Sequence, residues 1–488
     1  MIIKKAQDAI QNYLIDASNY KGNCDAVYFP ETESEIISIL KEANDNKTSV
    51  TISGNRTGLT GGGVPENGIV VSTEKLNKII ELNLDDKFIK LEPGVFLCDL
   101  QIELNKHNLF YPPDPTETTC FVGGTVATNA SGARTFKYGP TRDYVLELSM
   151  ILANGERLNL IRGDNFAKGN KLKLKTENGN IIKIELPELK IPETKNASGY
   201  YCRNNMDAID LFIGSEGTLA VTTKIKLKVL QMQEDKISCV VFFNEELDGL
   251  KFIKESREQS TDNRIFKKEN SINALALEYF DKWSLSFLKK DFVNIPRNSG
   301  CAVWFEQEAS KSNEDILLNK WIELIKKCNG NEDSCWLAFN EKEEKEIKNF
   351  RHSVSEKINE YMRGKDFKKL GTDVAVPHYH FEELYNYAKK ITEQEEIKYV
   401  NYGHFGNSHM HFNFMPENES QYVKAKKLYN LICKKAISLN GTVSAEHGIG
   451  KTKKLLLREM YGAEAINKMY AIKERLDPNL ILGKGNLF

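Results

Sequence analysis

No run of about 18 apolar residues occurs anywhere in the 488-residue chain, so no segment reads as a membrane-spanning helix. Cysteine pairs of metal-module spacing are also missing. Cys24, Cys98, Cys120, Cys202, Cys239, Cys301, Cys328, Cys335 and Cys433 are scattered, and none forms a Cys-x-x-Cys. That excludes the spacing of an iron–sulfur or structural zinc module and fits reduced thiols in a cytoplasmic protein. Neither sign of charge is in excess. With 67 basic and 68 acidic residues the formal net charge is −1, which gives no reason to expect nucleic acid or an acidic membrane as partner. The pairs Lys368-Lys369 and Lys453-Lys454 read as solvated faces, and any membrane contact would be peripheral. The first twenty residues lack an apolar core of signal-peptide length and predict a short amphipathic helix. Two phosphate-binding fingerprints are absent as well: there is no Gly-Lys-Ser/Thr P-loop and no Gly-x-Gly-x-x-Gly opening a helix.

What is present exceeds one core, since single cores stop growing near about 250–300 residues. Residues 25–110 alternate predicted strands (Ala26–Phe29, Ser49–Ser53, Ile69–Ser72, Phe88–Glu92) with predicted helices (Glu31–Asn44, Cys98–His107), an α/β texture. From Tyr144 the texture turns to hairpins. Lys171–Thr176 and Ile181–Leu186 flank Glu177-Asn178-Gly179-Asn180, an Asn-Gly turn signal, and Thr218–Leu230 is a long alternating strand. A second region from about Glu234 to Asn440 predicts strands Ile237–Phe243, Cys301–Glu306, Ser334–Phe339, Asp373–Val376 and His409–Met415. Long helical patterns separate them, which suggests an open sheet with helices on one face. A predicted helix, Lys451–Arg475, leads to Asp477-Pro478 and a terminal glycine-containing loop. The whole is α+β.

Three of the eight histidines fall in one short window, His404, His409 and His411, and a fourth, His447, follows Glu446. Histidine is the commonest metal ligand and the usual acid–base group near neutral pH. In His409-Met410-His411-Phe412-Asn413-Phe414 the period-two alternation predicts a half-buried strand with His409, His411 and Asn413 on one face. His404 precedes a Gly-Asn-Ser turn that can return it to that face. Glycine-flanked polar residues at a strand end mark a site.

Two small-residue loops lie upstream. Ser53-Gly54-Asn55-Arg56-Thr57-Gly58-Leu59-Thr60-Gly61-Gly62-Gly63 follows a predicted strand directly, where glycines free backbone N–H groups to converge on an anion. Gly123-Gly124-Thr125-Val126-Ala127-Thr128-Asn129-Ala130-Ser131-Gly132 has similar texture. Two such loops suit an extended ligand with several phosphate and hydroxyl groups.

With these landmarks in order, the chain resembles the vanillyl-alcohol-oxidase-type flavoprotein superfamily, within it the D-lactate, glycolate and D-2-hydroxyglutarate dehydrogenase branch. The resemblance also rests on Glu92-Pro93-Gly94-Val95, Pro113-Asp114-Pro115, Tyr138-Gly139, Arg142-Asp143-Tyr144 and Gly214-Ser215-Glu216-Gly217-Thr218-Leu219. It implies a two-part PCMH-type FAD-binding domain over 1–232 and an α/β cap domain with an antiparallel sheet covered by helices over 233–443. Residues 444–488 would then return to complete the active site. It further implies that Gly54–Gly62 binds the FAD pyrophosphate, while Asn129, Ser131, Gly132 and the Glu216–Leu219 segment line the isoalloxazine and adenine. Asn55-Arg56 stands where some relatives attach flavin through histidine, so non-covalent FAD is expected.

The resemblance assigns His404, His411 and Glu446 as ligands of a divalent metal, Zn or Mn being expected. It assigns His447 as the base that takes the substrate hydroxyl proton, and Arg351 as the cation for the substrate carboxylate. His409 departs from relatives that carry asparagine, and a role behind the metal ligands is expected for it. The family lysine for a second carboxylate aligns near Gly371, which disfavours a dicarboxylate substrate. His378 and His380 read as surface residues. Relatives often end in Asn-Pro-Gly-Lys, where this chain has Gly483-Lys484-Gly485-Asn486. The implied activity is oxidation of a small 2-hydroxy acid, with an electron-transferring flavoprotein or a quinone as acceptor and a homodimer allowed. Competing readings are an oxidase using O₂, a metal-dependent hydrolase with a structural nucleotide, and a non-catalytic flavin electron-transfer subunit.

Overall fold

The structure is a computed structural model that describes residues 1–233, 235–365 and 367–488, so the expected boundary residue Glu234 lies outside the described residues. Two sheets form the first part. The first has the strand order Ile2–Lys4, Ala26–Phe29, Ile69–Ser72, Val50–Ser53. The last three are parallel, and helix Glu33–Asp45 crosses over, buried through Ile36, Ile39 and Leu40. Thr32 starts that helix by accepting from the Glu35 N–H, an N-cap that satisfies one orphan donor. The N-terminus corrects the expected amphipathic helix: Ile2–Lys4 pairs antiparallel with Ala26–Phe29, and only Gln7–Ile10 is α-helical.

The second sheet is antiparallel, ordered Ile79–Asn83, Phe88–Leu91, Val221–Lys228, Val145–Ile151, Arg157–Ile161. The hairpin Lys171–Lys175 with Ile181–Glu185 forms at the Asn-Gly turn. The first glycine-containing loop, 54–63, follows Val50–Ser53 directly, whereas the second, expected as a loop, is helical over Val122–Thr128 and turns out of the helix at Asn129, at φ 49°, before Ser131 and Gly132.

The largest sheet is ordered Trp336–Leu337, Asp235–Phe243, Cys301–Ala309, Ala276–Asp281, Tyr399–Gly403, His409–Phe414, Leu370–Gly371, and Val374–Ala375 also pairs with His409–Phe414. Helices cover both faces, where one was expected. Phe252, Trp321, Leu384 and Ile432 pack on one side, and Leu285, Phe350 and Val354 on the other. The central strands explain this: in Ile237–Phe243 and Cys301–Gln307 every residue is buried, so neither face is left for water.

Helix Lys454–Leu476 breaks at Gly462, whose φ of 81° is non-helical, and then the chain returns to the first sheet. Val50 N–H donates to Ile481 O at 2.7 Å and Gly483 N–H to Val50 O at 2.9 Å. Among the described residues, no helix is long and apolar enough to cross a membrane.

Candidate active site

The strand His409–Phe414 carries His409, His411 and Asn413 on one face and sends Met410, Phe412 and Phe414 into the core. His404 leaves strand Tyr399–Gly403, and a 3₁₀ turn at Phe405–Asn407, closed by Ser408 at φ 52°, brings the chain back. The rings of His404, His409 and His411 end with centroids 4.4 to 5.5 Å apart.

Each expected ligand histidine is oriented from behind. His404 Nδ1–H donates to Glu278 at 2.6 Å, and His411 Nδ1–H donates to the Thr372 carbonyl at 3.2 Å. Both therefore turn Nε2 toward Glu446, at 3.3 and 3.2 Å. Fixing the proton on Nδ1 leaves Nε2 as a lone-pair donor, the arrangement found behind metal-bound imidazoles. Ligand atoms of His404, His409, His411 and Glu446 all lie within 4.8 Å of one another, as do those of Asp373, His411, Glu446 and His447. The donor set thus fits a divalent cation of borderline softness.

Asp373, fully buried, is the centre of the loop that carries Glu446 and His447. Its carboxylate accepts from the N–H groups of Glu446 (3.2 Å) and His447 (3.0 Å), from the Ser444 hydroxyl (2.7 Å) and from Lys453 Nζ (2.8 Å). Burial opposes its charge, yet His447 and Lys453 hold the carboxyl well below the usual range. Lys453 is hence a buried partner of Asp373, which corrects its reading as part of a solvated face. His447 Nδ1 lies 3.4 Å from Asp373, and its ring stacks on His411 at 5.4 Å and 16°. His409 Nε2 lies 3.0 Å from Asp373 Oδ1 but outside hydrogen-bonding angles, so this nitrogen has no bonded partner among the described residues.

Glu446 is charged for a similar reason. Burial works against it, and Lys195 and His404 together pull its carboxyl well below the usual range. Lys195 Nζ donates to Glu446 at 2.6 Å and lies 3.4 Å from His409 Nδ1. Glu278 pairs on its other side with Arg351 Nε at 3.4 Å; burial opposes its charge, but His404 and then Arg351 bring its carboxyl to about 2. Arg351, expected to face a substrate carboxylate, is thus tied through Glu278 to His404. His378 is exposed, as expected, with Nδ1 2.8 Å from the Ser408 hydroxyl.

The expected flavin loops converge on this cluster. Gly123 N–H donates to Pro93 O at 2.8 Å, and Arg134 N–H to Asp114 at 3.2 Å. A Cβ on Gly132 would sit 2.2 Å from Asp114 O, and one on Gly94 2.1 Å from Thr73 O, so only glycine permits these approaches. The Ser131 hydroxyl donates to Glu446 at 3.5 Å, which joins the second loop to the histidine cluster. In the first loop, among the described residues, the N–H groups of Asn55–Thr60, Gly62 and Gly63 find no protein acceptor. A Cβ on Gly124 would meet nothing within 4 Å. Free N–H groups on a glycine-containing loop suit the pyrophosphate of a dinucleotide. Several expected flavin-lining side chains are engaged elsewhere. Asn129 accepts from Arg142 N–H (2.9 Å), the Tyr138 phenol donates to Glu308, and Glu216 accepts from the N–H groups of Ile449 and Gly450 (both 2.7 Å).

Lys195, Glu278 and Asp373 escaped the sequence reading. Glu278 sits on Ala276–Asp281, a strand whose six residues are all buried and show no alternation. For Asp373 the signal was an acid in an otherwise apolar strand; for Lys195 there was none.

Residues 24–160 match the FAD binding domain family, and residues 258–487 match the C-terminal domain of FAD linked oxidases. The chain is 28% identical to a D-lactate dehydrogenase of Anaerostipes hadrus, covering 93% of this chain and 87% of that protein. It is 28% identical to glycolate oxidase subunit GlcD of Bacillus subtilis (98% and 92% covered). It is 25% identical to a D-2-hydroxyglutarate dehydrogenase of Stutzerimonas stutzeri (95% and 90%). The fold is shared with a solved alkyldihydroxyacetonephosphate synthase, at 16% identity and TM-score 0.67 over 99% of this chain and 82% of that one. With the loops, the cap sheet and these matches in agreement, the chain belongs to the FAD-linked oxidases, as an FAD-dependent oxidoreductase.

Proposed function

We propose that the protein is an FAD-dependent dehydrogenase that oxidises a small 2-hydroxy acid of the D-lactate type to the 2-oxo acid. The observation that carries this reading is the set of His404, His411 and Glu446 donors within 4.8 Å, touching the second glycine-containing loop through Ser131. The similarity to enzymes named for D-lactate, glycolate and D-2-hydroxyglutarate supports it. Bound non-covalently, FAD supplies the two-electron acceptor for the hydride that leaves the substrate carbon. A divalent cation, Zn or Mn, held by His404, His411 and Glu446 supplies a Lewis acid for the substrate's hydroxyl and carboxylate.

The chain's own residues do the rest. His447 takes the hydroxyl proton at Nε2, while Asp373, 3.4 Å from its Nδ1, stabilises the imidazolium that results. Arg351 uses Nε on Glu278, has Nη1 2.7 Å from His352 Nε2, and offers Nη2 to the substrate carboxylate. The cap sheet and the 444–451 loop keep bulk water from the cluster: His404 and His409 are buried. Electrons then leave to an electron-transferring flavoprotein or a quinone.

Anaerobic titration with a panel of D- and L-2-hydroxy acids tests the reading. Bleaching of the flavin by a D-2-hydroxy monocarboxylate is expected, and bleaching by no hydroxy acid would overturn it. Metal content should fall in His404→Ala and Glu446→Ala; unchanged content would remove those ligands.

A further inference from the structure

Beneath the first glycine-containing loop, on the side away from its free N–H groups, lies a buried pair that is not part of the histidine cluster. Lys451 is 8% exposed and Asn486 3% exposed, and Lys451 Nζ donates to Asn486 Oδ1 at 2.6 Å. Both grip loop carbonyls. Lys451 N–H donates to Thr60 O at 2.9 Å, its Nζ donates to Gly61 O at 3.3 Å, and Asn486 Nδ2 donates to Gly62 O at 2.8 Å.

All peptide bonds here are trans, and in a trans peptide the C=O and the following N–H point in opposite directions. Holding Gly61 O and Gly62 O from one side therefore turns the N–H groups of Gly62 and Gly63 to the other. Those two N–H groups have no protein acceptor among the described residues. Thr60 O follows the same rule: Lys451 holds it, and the next N–H, that of Gly61, points away to Asp16 at 3.0 Å. Gly61 itself, at φ 77°, makes the turn that lets successive carbonyls face the pair. Glu216 fixes the base of the assembly, taking the N–H groups of Ile449 and Gly450, while its own carbonyl accepts from Asn486 at 3.1 Å. A cation behind an array of outward N–H groups is electrostatically matched to a pyrophosphate.

We propose that Lys451 and Asn486 are positioning residues that preset the glycine-containing loop for the pyrophosphate of the cofactor. This rests on the FAD reading, and the pair acts on the loop backbone, not on the reacting atoms.

The test is reconstitution of FAD-free full-length protein, followed by FAD quenching and by ADP competition, because ADP carries the pyrophosphate without the flavin. Lys451→Met and Asn486→Ala should each weaken FAD and ADP in parallel by about tenfold, the effect of one lost charge-assisted hydrogen bond. Lys451→Arg, which keeps the cation, should restore most of the binding. A purely structural role would lower the melting temperature and leave both affinities unchanged. Affinities within twofold of wild type in both variants, with unaltered far-UV circular dichroism, would overturn the proposal. If the variants fail to fold, hydrogen exchange of the wild-type protein decides: FAD should protect the amides of 55–63, and no protection refutes the preset array. Wild-type protein that takes up no FAD would instead refute the cofactor reading.

Discussion

His447 keeps 26% of its side chain exposed, whereas His409 is fully buried between Lys195 and Asp373. Accessibility therefore separates the imidazole that can meet a substrate from the ones that hold the cluster together. His447→Ala should retain FAD and lose about 10²–10⁴-fold in the rate of flavin reduction, measured by anaerobic stopped flow. Glu278 acts by orienting the His404 ring, from whose Nδ1–H it accepts at 2.6 Å. Glu278→Ala should cost about 10–100-fold in metal affinity, read by calorimetric metal titration. Another buried acid, Asp281, gives a pH signature away from the cluster. It caps helix Lys282–Leu288, accepting from the Ser284 N–H at 2.7 Å and hydroxyl at 2.6 Å. Burial pushes its carboxyl up to about 7, against an unfolded value of about 3.9. The folded protein therefore holds this proton where the unfolded chain has released it. The resulting stability is complete below about pH 4 and is lost as pH rises through about 7. Asp281→Asn keeps the cap and should flatten that slope, as seen in urea unfolding at pH 5 and pH 7.5.

Elements show where sequence patterns carry information and where tertiary contact replaces them. The strand His409–Phe414 was legible because one face is polar and the other apolar, and the Asn-Gly hairpin because its turn chemistry is local. Strands Ala276–Asp281 and Tyr399–Gly403 left no such mark: they lie inside a sheet covered on both faces, where alternation vanishes. The site was half legible for the same reason. Glycine spacing and clustered histidines are local features, whereas the partners Lys195, Glu278 and Asp373 come from distant segments. The end of the last helix depends on one such contact. Lys473 Nζ, buried, donates to Asp477 (2.8 Å), Thr218 O (3.0 Å) and Leu482 O (2.8 Å), while Asp477 takes the N–H groups of Ile481 and Leu482. Lys473→Met strands that carboxylate and should cost about 3–5 kcal/mol in chemical denaturation; the double variant with Asp477→Asn should recover part of it.

At the scale of the molecule, the cradle proposed for the flavin draws on segments spread over nearly the whole chain. FAD that binds only the folded chain should stabilise it as a whole: at 100 times its dissociation constant it should add about 2.7 kcal/mol over the FAD-free protein, visible as a rise in melting temperature. The return of the chain to strand Val50–Ser53 has a further consequence, in the timing of synthesis. Asn486 and Gly62, which bond at 2.8 Å, are 424 positions apart. At about 5–20 residues per second, the ribosome leaves the glycine-containing loop without its floor for on the order of half a minute. The edge of Val50–Ser53 waits equally long for Ile481 and Gly483. If that floor presets the loop as proposed, FAD capture waits for the end of synthesis, and a chain truncated before Lys451 should bind the cofactor more weakly than the full chain.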